Sequence, residues 1–151
     1  MSFIDDVAAQ LVAQSVGVLG VNIFISSAAI IPSPGQATDA SKGMGPYLSI
    51  NETGGMAPTR VQNTRPPNTQ RPTAQILVRA GRIANVQEAY PAARAMAWLA
   101  YQALDGNFNV TIGGAFYLSM MARQEPTDMG MDATSVRIQV VFNIQAEKSA
   151  S

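Results

Sequence analysis

NVQEAYPAARAMAWLAYQALDG, Asn85 to Gly106, is the segment on which the reading of this chain turns. It is long and periodic enough to be a helix, and short strand-like runs flank it on both sides. At about 100° per residue, Val86, Ala93, Ala97, Ala100 and Leu104 fall on the same side as Tyr90. That narrow stripe is mostly alanine, and small residues let a helix lie close to a sheet. Asp105-Gly106 supplies the stop, with Gly106 able to take the left-handed C-terminal position. Two signals compete for the start. Asn85 and Glu88 have capping-box spacing, whereas Pro91 belongs in a first helical turn. The expectation is an irregular first turn and a regular helix over Pro91–Leu104. Trp98, the one tryptophan, lies off the stripe on the side of Gln87, Gln102 and Asp105. Either another element covers it or it is a contact surface for another chain.

Composition narrows the function classes. The 151 residues suffice for one domain with a real core. Ten basic residues balance ten acidic ones, so no global field draws the chain to nucleic acid or acidic membrane. Charged residues are only 13% and apolar ones 47%, a surface suited to being covered by partners. With no cysteine and no histidine, disulfides, thiolate nucleophiles, histidine acid–base chemistry and the common zinc and haem sites are excluded. Residues 7–38 carry no charge, but Gln10, Gln14, Gly17, Gly20 and Asn22 interrupt them before a membrane span is reached. Asp5 and Asp6 stand where a signal peptide would be basic, so the reading is a soluble protein made inside the cell.

Taken in order, Ser2 to Gln14 reads as a first helix. Ser2 caps it, Asp5 and Asp6 sit at its positive end, Phe3, Val7 and Leu11 line one face, and Gly17 ends it. Val21–Ile25, Tyr47–Glu52 and Gln75–Ala80 read as strands, the last apolar on both faces and therefore central. Long loops are expected at 28–46 and at 57–73, the second with four prolines. After the helix, Asn107–Ile112 and Ala115–Arg123 joined by Gly113-Gly114 form a hairpin signal, with Phe116, Leu118 and Met120 on one face. Gln124–Thr134 reads as a loop. Ser135–Gln145 is the cleanest strand: Val136, Ile138, Val140, Phe142 and Ile144 on one face, Arg137, Gln139 and Asn143 on the other. Residues 148–151 are expected to be a disordered tail. The order α-β-β-β-α-β-β-β implies one α+β domain over 1–147, a largely antiparallel or mixed sheet with two helices on one face.

Motifs for chemistry are few. No phosphate loop is present, since Gly54-Gly55 is followed by Met-Ala-Pro. Asp128 and Asp132, with Glu125 nearby, could hold a hard cation, but they match no loop signature and a solvated loop is the plainer reading. No cofactor, no metal and no enzyme activity are expected. Arg60, Arg65, Arg71, Arg79 and Arg82 hold half of the basic residues, and no acid occurs from Thr53 to Gln87. Arginines there could meet phosphates, but the aromatics that stack on bases are missing. Contacts with other protein subunits rank first for them and DNA contact second.

The pattern as a whole resembles the tail-terminator, or minor capsid, proteins of long-tailed bacteriophages. Four pieces carry the resemblance. They are the opening FIDDVAAQLV at Phe3 to Val12, Asn51-Glu-Thr-Gly-Gly55, the helix from Tyr90-Pro-Ala-Ala-Arg94 to Ala103-Leu-Asp-Gly106, and the closing Val140-Val-Phe-Asn-Ile144. They span roughly two-thirds of the chain. The 28–46 loop and the Arg/Pro stretch at 57–73 depart from the family pattern, and Asp128-Met-Gly-Met-Asp132 stands where a longer basic loop is expected. The resemblance implies a structural virion protein at the head–tail junction, made in the host cytoplasm. Such proteins form a ring, usually of six, on the last ring of the tail tube. The ring stops tube polymerisation and meets the head-completion complex. Implied partners are further copies of the chain, the tail tube protein, the head-completion or connector protein, the tape-measure protein, and genomic DNA in the ring lumen. No membrane partner is implied. On that reading Trp98, Gln102, Arg137, Gln139 and Asn143 make ring contacts. The 57–82 arginines pair with Glu125, Asp128 and Asp132 between subunits or with the tube. A head–tail connector ring is the rival reading, and a small DNA-binding protein a more distant one.

Overall fold

The computed structural model describes residues 2–20, 22–25, 46–54, 56–59, 69–80, 86–132 and 137–149. Among the described residues two helices, α1 (Phe3–Ala13) and α2 (Val86–Leu104), accompany nine strands. The strands are β1 (Ile23–Ile25), β2 (Tyr47–Glu52), β3 (Met56–Thr59), β4 (Thr69–Arg71), β5 (Thr73–Arg79), β6 (Asn107–Ile112), β7 (Ala115–Ala122), β8 (Thr127–Asp132) and β9 (Arg137–Ser149). All pairings are antiparallel except β1 with β2. The chain is therefore the expected α+β type with a mixed, mainly antiparallel sheet.

The last strand organises the sheet because both of its edges are occupied along most of its length. On one edge β5 pairs with it from Arg79↔Gln139 to Thr73↔Gln145, and β4 continues with Gln70↔Lys148 and Thr69↔Ser149. The register does not change between β4 and β5, so they are one strand interrupted at Pro72. Proline has no N–H for the ladder, yet its carbonyl still accepts from the Ala146 N–H at 3.0 Å. On the other edge β7 pairs over Tyr117↔Lys148 to Ala122↔Ile144, and β8 over Thr127↔Val141 to Asp132↔Arg137. A short irregular stretch around Pro126 separates these two strands.

Three expectations are corrected here. The 57–73 stretch and the 124–134 stretch both contain strands, and the C-terminal segment does not fray at Glu147 but pairs on both sides to Lys148 and on the β4 side to Ser149. MAPT, TQR and TDMGMD have no alternating pattern of their own. They are strands because β9 and its neighbours offer them open edges, a case of context overriding propensity. The loop expected at 28–46 lies outside the described residues up to Gly45.

One core lies between the sheet and the two helices. The sheet supplies Leu48, Ile50, Ala74, Ile76, Val78, Val140, Phe142 and Ile144, all buried, at alternate positions of β2, β5 and β9. The alanine stripe on α2 behaves as its spacing predicts: Ala93, Ala97, Ala100 and Leu104 have no exposure. The helix itself starts earlier than expected, at Val86, with Pro91 inside it. Helix α1 packs against α2, β1, β2 and β6. It thus touches strands at both ends of the sheet order, which requires the sheet to curl around α2.

The turns follow from local chemistry. Ser2 forms a capping box with Asp5: the Asp5 N–H donates to Ser2 Oγ at 3.3 Å, and the Ser2 N–H donates to Asp5 Oδ2 at 3.0 Å. These bonds hold the Asp5 carboxyl below its ordinary pKa, the side-chain bond from Ser2 first. At the other end α1 stops before Gly17. Ser15 takes the left-handed position at φ 60°, with its N–H on the Val12 carbonyl and the Val16 N–H on the Leu11 carbonyl. This is a Schellman closure whose apolar pair, Leu11 and Val16, is buried. Gly17 serves space instead: a Cβ there would stand 2.5 Å from Asn22 Oδ1. Gly113 and Gly114, at φ 60° and 84°, form the two-residue turn of the β6–β7 hairpin, of the I′ kind that suits strand twist.

Within that hairpin the expected face is wrong in one respect. Met120 is buried with Tyr117, whereas Phe116 and Leu118 are exposed. The β7–β9 register shifts between Tyr117 and Ser119, and Asn109 opposite adopts φ 51°. The irregularity moves the inward set from odd positions (Ala115, Tyr117) to even ones (Met120, Ala122) halfway along the strand.

Ser15→Gly relieves a left-handed serine and is expected to raise stability by about 0.5–1 kcal/mol. Gly17→Ala is expected to lower it. Urea titrations of both variants check the pair, and opposite signs are required.

Candidate functional site

Among the described residues no group of three Asp, Glu, His or Cys is placed to hold a metal ion. The Asp128–Asp132 stretch is strand β8, with the Gly130 N–H closing on Asp128 Oδ1 at 2.7 Å. No helix of the described residues is long and apolar enough to cross a membrane. What the geometry offers is surfaces, and one buried polar cluster.

That cluster joins three distant parts of the chain. Asp6, in the first turn of α1, is 1% exposed. Its Oδ2 accepts a hydrogen bond from the Tyr117 hydroxyl on β7 and lies 3.7 Å from Lys148 Nζ on β9. Lys148 also stands over the Tyr117 ring, 5.9 Å from its centroid, and Phe3 packs on the same ring at 6.0 Å. Burial, and after it the bond to Asp6, pushes the Tyr117 phenol above the ordinary tyrosine range. Asp6 is thus a latch between α1 and the sheet, not only a helix-end charge. Sequence reasoning missed it because the partners stand 111 positions apart.

The residues expected at contacts are spread over the molecule. Trp98 is half-buried on the outer side of α2, 5.2 Å from the Tyr101 ring, with the Arg94 guanidinium 5.8 Å from its own ring. Tyr101 packs in turn on Phe142 of the core, 5.9 Å away. Gln102 and the adjacent Leu99 are exposed. Gln139 and Asn143 are half-buried, and Arg137 stands opposite Asp132 in the β8–β9 register. Glu125 and Asp128 are exposed. The arginines do not form one accessible group: Arg79 is buried at 7% exposure, Arg71 is half-buried on β4, and Arg60, Arg65 and Arg82 lie outside the described residues. Arg79 was expected among the surface contacts. It is withdrawn from the surface because β5 has neighbours on both edges and is covered on both faces.

Two apolar surfaces went unforeseen. One is a groove of about 630 Å³ lined by Asp5, Ala8, Ala9, Val12, Ala13, Leu19 and Ile25, between α1 and β1. Its signal was present in FIDDVAAQLVA, which is apolar on nearly every side and not only on the Phe3–Val7–Leu11 stripe. The other is the outer face of the β6–β7 hairpin, where Phe108, Phe116, Leu118 and Met121 are 58, 41, 37 and 40% exposed.

The described fold is a helix-covered sheet that carries two exposed apolar surfaces. The bacteriophage tail terminator protein family model matches residues 14–149, and the chain belongs to that family. It is a structural, tail-associated component of a phage-type virion. The fold is similar to that of a chain in the solved virion of a native gene transfer agent (GTA) particle. That likeness has a TM-score of 0.63 at 13% identity and covers 99% of this chain and 96% of that one. A second solved chain, 11% identical over 99% of both, has a TM-score of 0.49. No curated protein matches the sequence significantly.

Tyr117→Phe removes the hydroxyl from the buried latch and leaves Asp6 with Lys148 alone. A loss of about 1–3 kcal/mol in urea unfolding is expected. Because the folded phenol loses its proton later than the unfolded one, its contribution is intact below about pH 10 and declines as pH rises further. Ultraviolet titration should show a tyrosine ionising above the ordinary range, and Tyr117→Phe should remove the Tyr117 part of that late step.

Proposed function

We propose that the chain terminates the phage tail tube as a homo-oligomeric ring, most simply of six copies. The ring sits on the last ring of tube subunits, stops further addition, and presents its other side to the head-completion or connector protein. The observation that carries this reading is the family match over nearly the whole described chain. The two apolar surfaces are consistent with it.

Physical reasoning supports the details. A subunit that uses two different surfaces for neighbouring copies makes a head-to-tail contact, which closes into a ring when the rotation per copy allows it. The low charge, 13% of residues, suits a protein contacted on several sides. Trp98 with Gln102, and Gln139, Asn143 and Arg137 on β9, retain positions from which they contribute contacts to neighbouring chains. Glu125 and Asp128, both exposed, are acids available to basic partners. The tape-measure protein and DNA in the lumen are further contacts this placement allows, at the head–tail junction of particles assembled in the host cytoplasm. The DNA-binding alternative is weakened by the burial of Arg79 and the half-burial of Arg71.

Light scattering of the purified protein, with and without tail tubes, tests the reading. A ring-sized species, or a monomer that becomes ring-sized on tubes, is expected, and tubes grown with the protein should end at fixed length. A monomer indifferent to tubes overturns it. Co-purification with filled heads but not with tubes favours a connector ring instead. Trp98→Ala is expected to weaken assembly while leaving the helical signal unchanged.

A further inference from the structure

Position 148 breaks the pattern of the strand it belongs to. Val140, Phe142, Ile144 and Ala146 are the inward residues of β9, all buried. Lys148 takes the next inward position, with its side chain 17% exposed. Position 6 does the same in α1, where Asp6 shares the buried face with Phe3 and Val7. Two charged residues thus occupy core-facing positions, one in the first helix and one in the last strand. Lys148 Nζ stands 3.7 Å from Asp6 Oδ2, and Tyr117, directly across the ladder from Lys148, donates to the same oxygen. Asp6 Oδ1 is buried with no hydrogen-bond partner among the described residues. A carboxylate so incompletely bonded depends on its one cation, and removing that cation leaves a bare charge in the core.

The helix that carries Asp6 is held by little else that is polar. It belongs to no strand ladder, so it can leave without parting any strands. Its other polar tie among the described residues is the Gln10 bond to the Ala103 carbonyl at 3.2 Å. The remainder is packing by Phe3, Val7, Ala8 and Leu11. Eleven residues are too few for a helix to persist alone in water, so an undocked α1 unravels and its amides exchange.

We propose that the Asp6–Lys148 pair makes docking of α1 conditional on the far end of β9. With Lys148 in its ladder position between Gln70 and Tyr117, Asp6 is paired and the helix stays down. With that end of the strand missing or displaced, the unpaired carboxylate draws α1 back toward water. The device does not depend on the ring reading. It ties the surface that α1 presents to completion of the strand on which the sheet closes.

Hydrogen exchange tests it, with the Val7 to Leu11 amides as reporter and the Ile76 and Phe142 amides as reference. In the unaltered chain the reporter should exchange faster than the reference, because α1 opens as its own unit. Lys148→Met keeps an apolar stem over the Tyr117 ring and removes the charge. It should speed reporter exchange on the order of tenfold to a hundredfold. In an Asp6→Asn background the same substitution should change the rate by no more than about twofold. Equal acceleration in both backgrounds, or none in either, overturns the proposal, since Lys148 then acts by packing or not at all. A reporter that exchanges at the reference rate in every variant also overturns it, because α1 then opens only with the whole fold. Should Lys148→Met alone fail to fold, the chain carrying both Asp6→Asn and Lys148→Met decides: a folded double variant supports the coupling, and a second failure overturns it.

Discussion

The structure depends on the double pairing of strand β9. It is flanked by the interrupted β4–β5 strand on one edge and by β7 and β8 on the other. Its inward residues Val140, Phe142, Ile144 and Ala146 are buried in the core. Each large one contributes about 1.5–3 kcal/mol by leaving water. A slip of one residue would turn the whole set outward and place Gln139, Asn143 and Gln145 against the helices. The two ladders would have to slip together for that to happen. The register is therefore fixed three times, by each neighbouring strand and by the core.

The helices depend on the same strand. The alanine stripe of α2 allows close approach to the sheet, and the cost of small side chains is a core with little bulk from the helix. Aromatic residues supply that bulk from other places. Tyr101 bridges Phe142 to Trp98, and Tyr117 fills the space under Phe3. The α1 end is then fixed by polar contacts: Asp6, Tyr117 and Lys148 meet where β7 and β9 run side by side. Breaking such a set by removing one member is costly because the others stay buried. The Gln10 side chain adds a second tie, donating to the Ala103 carbonyl of α2 at 3.2 Å.

Elements whose sequence carries its own period were legible: the α2 stripe, the alternation in β9, the glycine pair of the β6–β7 turn, and the Ser2 cap. They fix the fold class and the helix-on-sheet arrangement. Strands β3, β4 and β8 were not legible, because their residues have no period and owe their conformation to partners far away in sequence. The end of α1 was misread for a related reason. Glycine is the usual left-handed residue, but here Ser15 takes that role and Gly17 makes room for Asn22. The contact surfaces were legible only as composition. Low charge said that partners exist, whereas the groove and the hairpin face emerged only when α1, β1 and the irregularity in β7 were placed in space. A one-residue change of phase in β7 decides which of Phe116, Leu118 and Met120 is offered outward, and no alternation rule foresees it.

The position of β9 in chain order bears on how the subunit is made. Strands β5, β7 and β8 are synthesised before it, and each owes it a full edge of hydrogen bonds. Until β9 emerges from the ribosome those edges stand open, and the inward faces of the sheet have no central strip. Non-local pairing of this kind is slow, and open edges invite pairing with other chains. The subunit should therefore be at its most aggregation-prone as a nascent chain and reach an assembly-competent shape only after its last strand is in place. A frameshift near residue 137 would remove the seam on which β4, β5, β7 and β8 close, leaving a product unable to join an assembling virion.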